Sequence, residues 1–321
     1  MEYIVLDLEW NQCPYGKDKE NKKLPFEIIE IGAVKLNSKR ECVDKFSMLV
    51  KPTVYREFHY YTKNMLHLSM QDLKNQESFP VVMEKFLNWC GEDYIFCTWG
   101  SSDLMELQRN MEYHDMKPLA EAPFKYYDIQ KIYTMLFEDD KKVRRSLEYA
   151  VDRFDILKTA AFHRAKEDAV YTGRIMQYIR LDDMEHHYSI DTYHRPKNKK
   201  SEVYALFDNY SKYISREFAS KEEAMADREV ASSRCCLCGK NARKKIRWFS
   251  GNGKIYLCQA YCEHHGFIRG KVRMKKTDSG RFYVIKTLKL VSEEEAQMIR
   301  DKQNEVRKRR REKRKNMGTQ F

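Results

Sequence analysis

The stretch Tyr3-Ile-Val-Leu-Asp-Leu-Glu9 decides the reading of this chain. Its β-branched and aromatic residues favour an extended strand, and on a strand residues two apart share a face. Asp7 and Glu9 therefore project together while Leu8 turns to the opposite side. Two adjacent carboxylates on one face can bind a divalent cation, although acids alternating with apolar residues also mark a half-exposed strand.

Two further strands are expected from the sequence that follows, Ile28 to Leu36 and Lys45 to Val50, after turn-rich gaps. Helical spacing of Phe79, Val82, Met83, Phe86 and Leu87 predicts a helix over Asp72 to Cys90. Tyr94 to Thr98 reads as a short buried strand. Helices are expected again over Asp103 to Tyr113, Arg145 to Phe154 and Glu167 to Leu181. Strands first and alternation later indicate an α/β domain over residues 1–184.

Two more segments of this domain carry chemistry. Trp99-Gly-Ser-Ser-Asp103 ends a strand in a small-residue turn and opens a helix with an acid. By itself such an acid stabilises the helix start. Phe162-His-Arg-Ala-Lys-Glu-Asp168 precedes the last helix. Residues five apart on one continuous helix diverge by about 140°, so His163 and Asp168 converge only if His163 lies in the loop and Asp168 in the first turns.

In content and order these residues resemble the DEDDh 3'-5' exonucleases, a superfamily of RNase H-like fold that includes the proofreading subunit of bacterial DNA polymerase III and RNase T. Asp7-x-Glu9 matches the first motif, Asp103 the second, and His163-x-Ala165-x-x-Asp168 the third. Glu27-Ile-Ile-Glu-Ile-Gly-Ala-Val34 resembles the second strand of that fold, and Phe46 to Lys51, Ser78-Phe-Pro80 and Trp99-Gly100 are similar in particular to the Eri-like branch, which trims RNA 3' ends. That branch usually carries an acid soon after the glycine of the second motif, where this chain has Ser101. The resemblance covers about residues 1–182. It implies a mixed sheet flanked by helices, and two Mg2+ or Mn2+ ions on Asp7, Glu9, Asp103 and Asp168, with Asp7 bridging them. It also implies His163 as general base and single-stranded or 3'-overhanging nucleic acid as substrate, RNA favoured over DNA. A DNA exonuclease for proofreading or repair, and a non-catalytic nucleic-acid-binding protein on the same scaffold, are the alternatives. Trp10 follows the first motif, either as a core residue or as a surface on which a terminal base stacks.

Composition divides the 321 residues. The net charge is +12, yet residues 235–321 hold 24 Lys and Arg against 8 Asp and Glu. A basic module for nucleic acid is therefore expected beside a mildly acidic domain. The longest run without Asp, Glu, Lys or Arg is nine residues, Tyr94 to Ser102, too short to cross a membrane. No signal pattern opens the chain, so a cytoplasmic protein is expected.

Residues 185–233 read as a partly helical connector, with a weak helical stripe over Val203 to Phe218. Five of the nine cysteines crowd between Cys235 and Cys262. Cys235, Cys238, Cys258 and Cys262 form two pairs joined by a basic hairpin, the pattern of a zinc ribbon with four thiolates around a structural Zn2+. Cys236, His264 and His265 stand by as other ligands. This nucleic-acid-binding module spans residues 234–292, with strands over Phe267 to Lys275 and Arg281 to Leu290. A basic helical tail over 293–321 ends in Arg307-Lys-Arg-Arg-Arg-Glu-Lys-Arg-Lys315.

Overall fold

The computed structural model describes residues 1–66 and 68–318, with side chains through 314. Residues 319–321, the end of the expected tail, lie outside the described residues. The chain forms two compact units, Met1–Tyr193 and His194–Phe321.

The first unit is built on a mixed six-stranded sheet. Its elements are β1 (Glu2–Gln12), β2 (Phe26–Leu36), β3 (Cys42–Leu49), α1 (Tyr60–Met65), α2 (Met70–Lys74), α3 (Phe79–Cys90), β4 (Tyr94–Thr98), α4 (Ser102–Tyr113), β5 (Lys125–Asp128), α5 (Ile129–Phe137), α6 (Leu147–Arg153), α7 (Ala165–Met176), α8 (Leu181–His186) and β6 (Ser189–Ile190). The strand order is β3-β2-β1-β4-β5-β6. The first three strands are antiparallel, β1, β4 and β5 run parallel, and β6 returns antiparallel.

Alternation along β1 separates two cores. Ile4, Leu6 and Leu8 pack with α3 and α4, chiefly Val82, Phe86, Leu104 and Leu107. Tyr3 and Val5 pack on the other face with Tyr133 of α5, Val151 of α6 and Ala169, Ile175 and Met176 of α7. Each fully buried large aliphatic or aromatic side chain contributes about 1.5–3 kcal/mol. Asp7 and Glu9 continue the Tyr3 and Val5 row, so the strand that is core at its start becomes a carboxylate face at its end.

Polar cross-links fix the chain around that face. Asn110 of α4 accepts from the Ile28 amide at 3.0 Å and donates to the Phe26 carbonyl at 2.9 Å, tying α4 to β2. The buried Glu27 carboxylate accepts the amides of Thr53, Val54 and Tyr55 at 2.6–2.8 Å, which pins the segment after β3.

The helix expected over Asp72 to Cys90 is two helices, α2 and α3. Ser78 stands at the N-cap position of α3 and Pro80 sits in its first turn, where its missing N–H costs nothing.

The second unit departs further from expectation. It comprises β7 (Val203–Leu206), β8 (Tyr210–Ile214), α9 (Lys221–Ala226), α10 (Arg228–Ala231), β9 (Arg243–Ser250), β10 (Ile255–Cys262), β11 (Gly266–Lys276), β12 (Phe282–Leu290) and α11 (Glu293–Gly318). Its sheet is antiparallel in the order β7-β8-β12-β11-β10-β9. The connector expected over 185–233 is therefore corrected. Residues 203–214 form a hairpin belonging to the sheet, because Tyr, Val and Ile prefer the pleated surface and Asp208-Asn209 makes the turn. The module is correspondingly larger than a zinc ribbon, with a core of Tyr213, Phe218, Ala224, Val230, Val272, Met274 and Val284. Lys286 is 1% exposed within it. Its ammonium meets the Glu229 carbonyl and the Ser232 hydroxyl at the end of α10, where cations are favoured. Among the described residues no helix is long and apolar enough to cross a membrane.

Candidate active site

Strand pairing creates the site. β4 pairs with β1 only from Glu2↔Tyr94 to Val5↔Cys97, and beyond that the Leu8 amide donates to Asp103 Oδ1 at 3.2 Å. Asp103 stands in the first turn of α4 and is 6% exposed. The acid opening that helix is thereby drawn to the backbone between Asp7 and Glu9. Opposite, Asp7 pairs with Gly32 and Glu9 with Glu30, and the register then shifts by one residue at Ile29. Such a bulge increases local twist and re-aims side chains.

Gly32 explains how α7 reaches this face. A Cβ there would lie 2.0 Å from the Lys166 nitrogen and 2.1 Å from the Ala165 carbonyl carbon, so the first turn of α7 rests directly on the glycine. That brings Asp168 in. α7 begins at Ala165, His163 lies in the loop with φ +66°, and the His163 amide donates to Asp168 Oδ2 at 3.0 Å. The left-handed backbone at a non-glycine residue is strained, and here it lets one tight turn present both the imidazole and the carboxylate. The ligand atoms of Glu9, His163 and Asp168 all lie within 4.8 Å of one another.

All five residues expected from the sequence are thus brought together: Asp7, Glu9, Asp103, His163 and Asp168. The sequence reading missed a sixth, Glu30, which is 1% exposed and forked with Arg164 at 3.0–3.3 Å. Arg164 lies between His163 and α7, so this ion pair anchors the turn to β2. Residues three apart on a regular strand face opposite sides, so no local pattern marks Glu30; its pairing with Glu9 is what brings it to the carboxylate face. Trp10 is half-buried with its ring 5.8 Å from Phe26, on the apolar side.

Crowding of carboxylates dominates the electrostatics. Burial raises Glu9 to about 8, helped by Asp168, Glu30 and Asp103 and opposed by Arg164. Burial also lifts Asp103 to about 7 and Asp168 to about 6, against the backbone amides that each accepts. Asp7 is pushed well above the usual range by burial, then by Asp103, Asp168, Glu9 and Glu30. The other oxygen of Asp168 is buried without a hydrogen-bond partner. Four carboxylates that resist ionising side by side, one with a bare buried oxygen, fit hard divalent cations.

The sequence profile of the exonuclease family matches residues 4–176, a span that includes all five site residues. The chain belongs to the exonuclease family. A comparison with curated proteins finds no match. Among solved structures, the exonuclease is similar to the nuclease domain of 3'hExo, a DEDDh family member bound to rAMP, at 19% identity and a TM-score of 0.49, covering 59% of this chain and 96% of that one. It is similar to cell-death related nuclease 4 (CRN-4) at 16% identity and a TM-score of 0.48, over 72% and 73% of the two chains. The Mg2+ and Mn2+ bound form of Pop2p from S. pombe gives 17% identity and a TM-score of 0.43, over 59% and 86%.

A second donor cluster lies in the C-terminal unit of the exonuclease. Cys235, Cys238, Cys262 and His265 place their ligand atoms within 4.8 Å of one another. The Cys238 and Cys262 sulfurs are 3.7 Å apart, and His265 Nδ1 is 3.5 Å from Cys235 and 3.7 Å from Cys262. Thiolates bound tetrahedrally at about 2.3 Å stand about 3.8 Å apart, so the donor set fits Zn2+. Burial pushes the Cys262 thiol up, but the His264 amide and the His265 ring outweigh it and hold the group at about 6.

Cys258, expected as a ligand, is not in this cluster. It is four residues from Cys262 along β10, about 13 Å on an extended strand. There it is fully buried, and its sulfur fills the space above Gly270. His265 occupies the fourth corner because Cys262-Glu-His-His265 turns back at Gly266, whose φ is +82°. Of the other candidates, His264 pairs with Lys240 at 3.2 Å, and Cys236 is buried outside the group.

Proposed function

We propose that the N-terminal unit removes nucleotides stepwise from the 3' ends of single-stranded nucleic acid, RNA in preference to DNA, by hydrolysis with His163 as general base. The observation that carries this reading is the convergence of four carboxylates and an exposed imidazole on the end of β1. Asp7, Glu9, Asp103 and Asp168 would hold two Mg2+ or Mn2+ ions, which supply charge neutralisation for the phosphodiester and its entering and leaving oxygens. His163 takes a proton from the attacking water at a ring nitrogen, a task open to an exposed imidazole with an accepting nitrogen. Arg164 and Glu30 hold the turn that aims it. The preference for RNA rests on the sequence likeness to the Eri-like branch.

Cys235, Cys238, Cys262 and His265 hold one structural Zn2+, and the basic C-terminal unit contributes affinity for substrate. A reducing, cytoplasmic setting, in which the cysteines persist as thiols, belongs to the same proposal.

One experiment tests the activity. The full chain is incubated with internally matched RNA and DNA single strands, labelled at the 3' or 5' end, in Mg2+, Mn2+ or EDTA. Expected are metal-dependent release of mononucleotides from the 3' end, faster on RNA, and loss of activity in Asp7→Ala. His163→Ala should lower kcat by about 10²–10⁴-fold. Binding without degradation in either metal overturns the proposal, and faster loss of DNA replaces its substrate.

A further inference from the structure

β11 carries two rows of side chains. Ile268, Gly270, Val272 and Met274 are buried in the core of the C-terminal unit, while Arg269, Lys271, Arg273 and Lys275 occupy the alternate positions and are half-buried or exposed. Residues two apart on an antiparallel strand repeat every ~6.8 Å, so the four cations form a line about 20 Å long. α11 lies beside this line. Glu295 pairs with Arg269 at 3.7 Å, and Arg300 donates to Gln259 of β10 at 3.3 Å. Across the other edge, β12 sets Lys289 opposite Arg269 and Thr287 opposite Lys271.

The balance of charge on this face is one-sided. Burial lowers the affinity of Lys271 for its proton, and Arg273, Arg269 and Lys302 of α11 lower it further. Among the described residues no ion pair reaches Lys271, Arg273 or Lys275, and the single carboxylate drawn to the row is Glu295 at its Arg269 end. A folded unit that holds such repulsion uncompensated gains most from a polyanion laid along it.

We propose that this face, Arg269 to Lys275 with Lys302 beside it, is a track for the sugar–phosphate backbone of single-stranded nucleic acid. The identity of the polymer rests on the nuclease reading above; the anionic character of the occupant does not. A line of cations at the pitch of successive phosphates on an extended strand matches a linear polyanion better than a patch of lipid headgroups, which would be met by charge spread in two dimensions. Phosphate contacts carry no base information, so the track binds without regard to sequence.

The test uses the full chain carrying Asp7→Ala, so that substrate survives. Binding of a 5'-labelled 20-nucleotide RNA strand is followed by fluorescence anisotropy across a KCl series, with the same sequence as DNA and with phosphatidylserine vesicles as further arms. Each lost phosphate contact lowers the slope of log affinity against log salt by about 0.7 for a single strand. Combined Lys271→Gln, Arg273→Gln and Lys275→Gln should therefore flatten the slope by about 2 and weaken binding at least tenfold at low salt. Arg273→Gln alone, at an exposed position, should flatten it by about 0.7, which keeps the test decisive if the triple variant does not fold. Lys271→Arg with Lys275→Arg should restore wild-type binding. Unchanged slope and affinity in the glutamine variants overturn the track, as does vesicle binding that these substitutions abolish and RNA does not compete. Cleavage by the unsubstituted chain is read separately, so failure of the nuclease proposal is told apart from failure of the track.

Discussion

Arg164 and Glu30 show how one ion pair serves a site it does not enter. Glu30 is nearly fully buried while Arg164 stays about a third exposed, with 37% of its side chain in solvent. Glu30→Gln keeps the shape and removes the charge, and should cost roughly 2 kcal/mol, the range for hydrogen bonds to charged partners. Because the pair holds the His163 turn, kcat should fall about tenfold or more with KM little changed. Denaturant titration and steady-state kinetics on the same variant check both; full activity with lowered stability would make the pair purely structural. The catalytic acids themselves were legible as residues, since Asp7 and Glu9 share a face by the two-residue period of a strand. Glu30 was not singled out because a buried ion pair leaves no pattern beyond one acid among apolar neighbours.

At the level of elements, the contact between α7 and β2 at Gly32 governs the geometry. Gly32→Ala has nowhere to put a methyl except into the backbone of Ala165 and Lys166, so the first turn of α7 must move outward and carry Asp168 with it. A displacement on the order of 1 Å in a catalytic group can cost about 10²-fold in rate. The expectation is a loss of that size in kcat, with the helix content of the circular dichroism spectrum unchanged. Wild-type rates in Gly32→Ala would mean that the helix start adapts without loss.

Elements with strong periodicity were readable in advance: Tyr94 to Thr98 agrees residue for residue with β4, and the strands β11 and β12 to within one residue. The hairpin of β7 and β8 reads as helical in the sequence because strands of four and five residues offer few alternations, and apolar residues three and four apart imitate a helical stripe by chance. β5 escaped because its four residues are placed by parallel pairing with β4, a long-range contact, whereas α5 does carry a local signal, Ile129, Ile132, Tyr133 and Leu136 at helical spacing behind the Asp128 cap.

The whole molecule carries two donor clusters of different chemistry, carboxylates in the first unit and a Cys3His group in the second. In the first unit, carboxylates whose folded pKa lies near 6–8, above an unfolded value of about 4, bind protons more tightly when folded. They contribute stability at low pH that is lost as pH rises from about 4 to about 8. The melting temperature in EDTA should therefore fall over that range, and the gain on adding Mn2+ should grow with pH. Glu9→Gln should flatten both trends; a melting temperature in EDTA that is as steep in Glu9→Gln as in the wild type would contradict this assignment.

In the second unit, chelation acts through the thiolates. Removal of Zn2+ should release one ion per chain, measured by elemental analysis, and lower the stability of residues 194–318 while the Asp7 site stays intact. His265→Ala should lose the ion and Cys258→Ser should keep it. The reverse pattern would restore the four-cysteine arrangement expected from spacing alone, which could not see that Cys258 and Cys262 are held apart along one strand.

Asp168 is the feature with the longest reach. One of its oxygens accepts the His163 amide and the other is buried without a partner, so the bare oxygen is the one freer to meet an ion. Monodentate ligation suits a small ion that keeps its octahedron filled with water, whereas Ca2+ gathers six to eight oxygens and readily takes both from one carboxylate. A backbone hydrogen bond that engages one oxygen of Asp168 would thus tilt the proposed site toward the smaller ions. Activity in Mg2+ or Mn2+ that Ca2+ cannot replace, measured with each ion alone, is the expected signature.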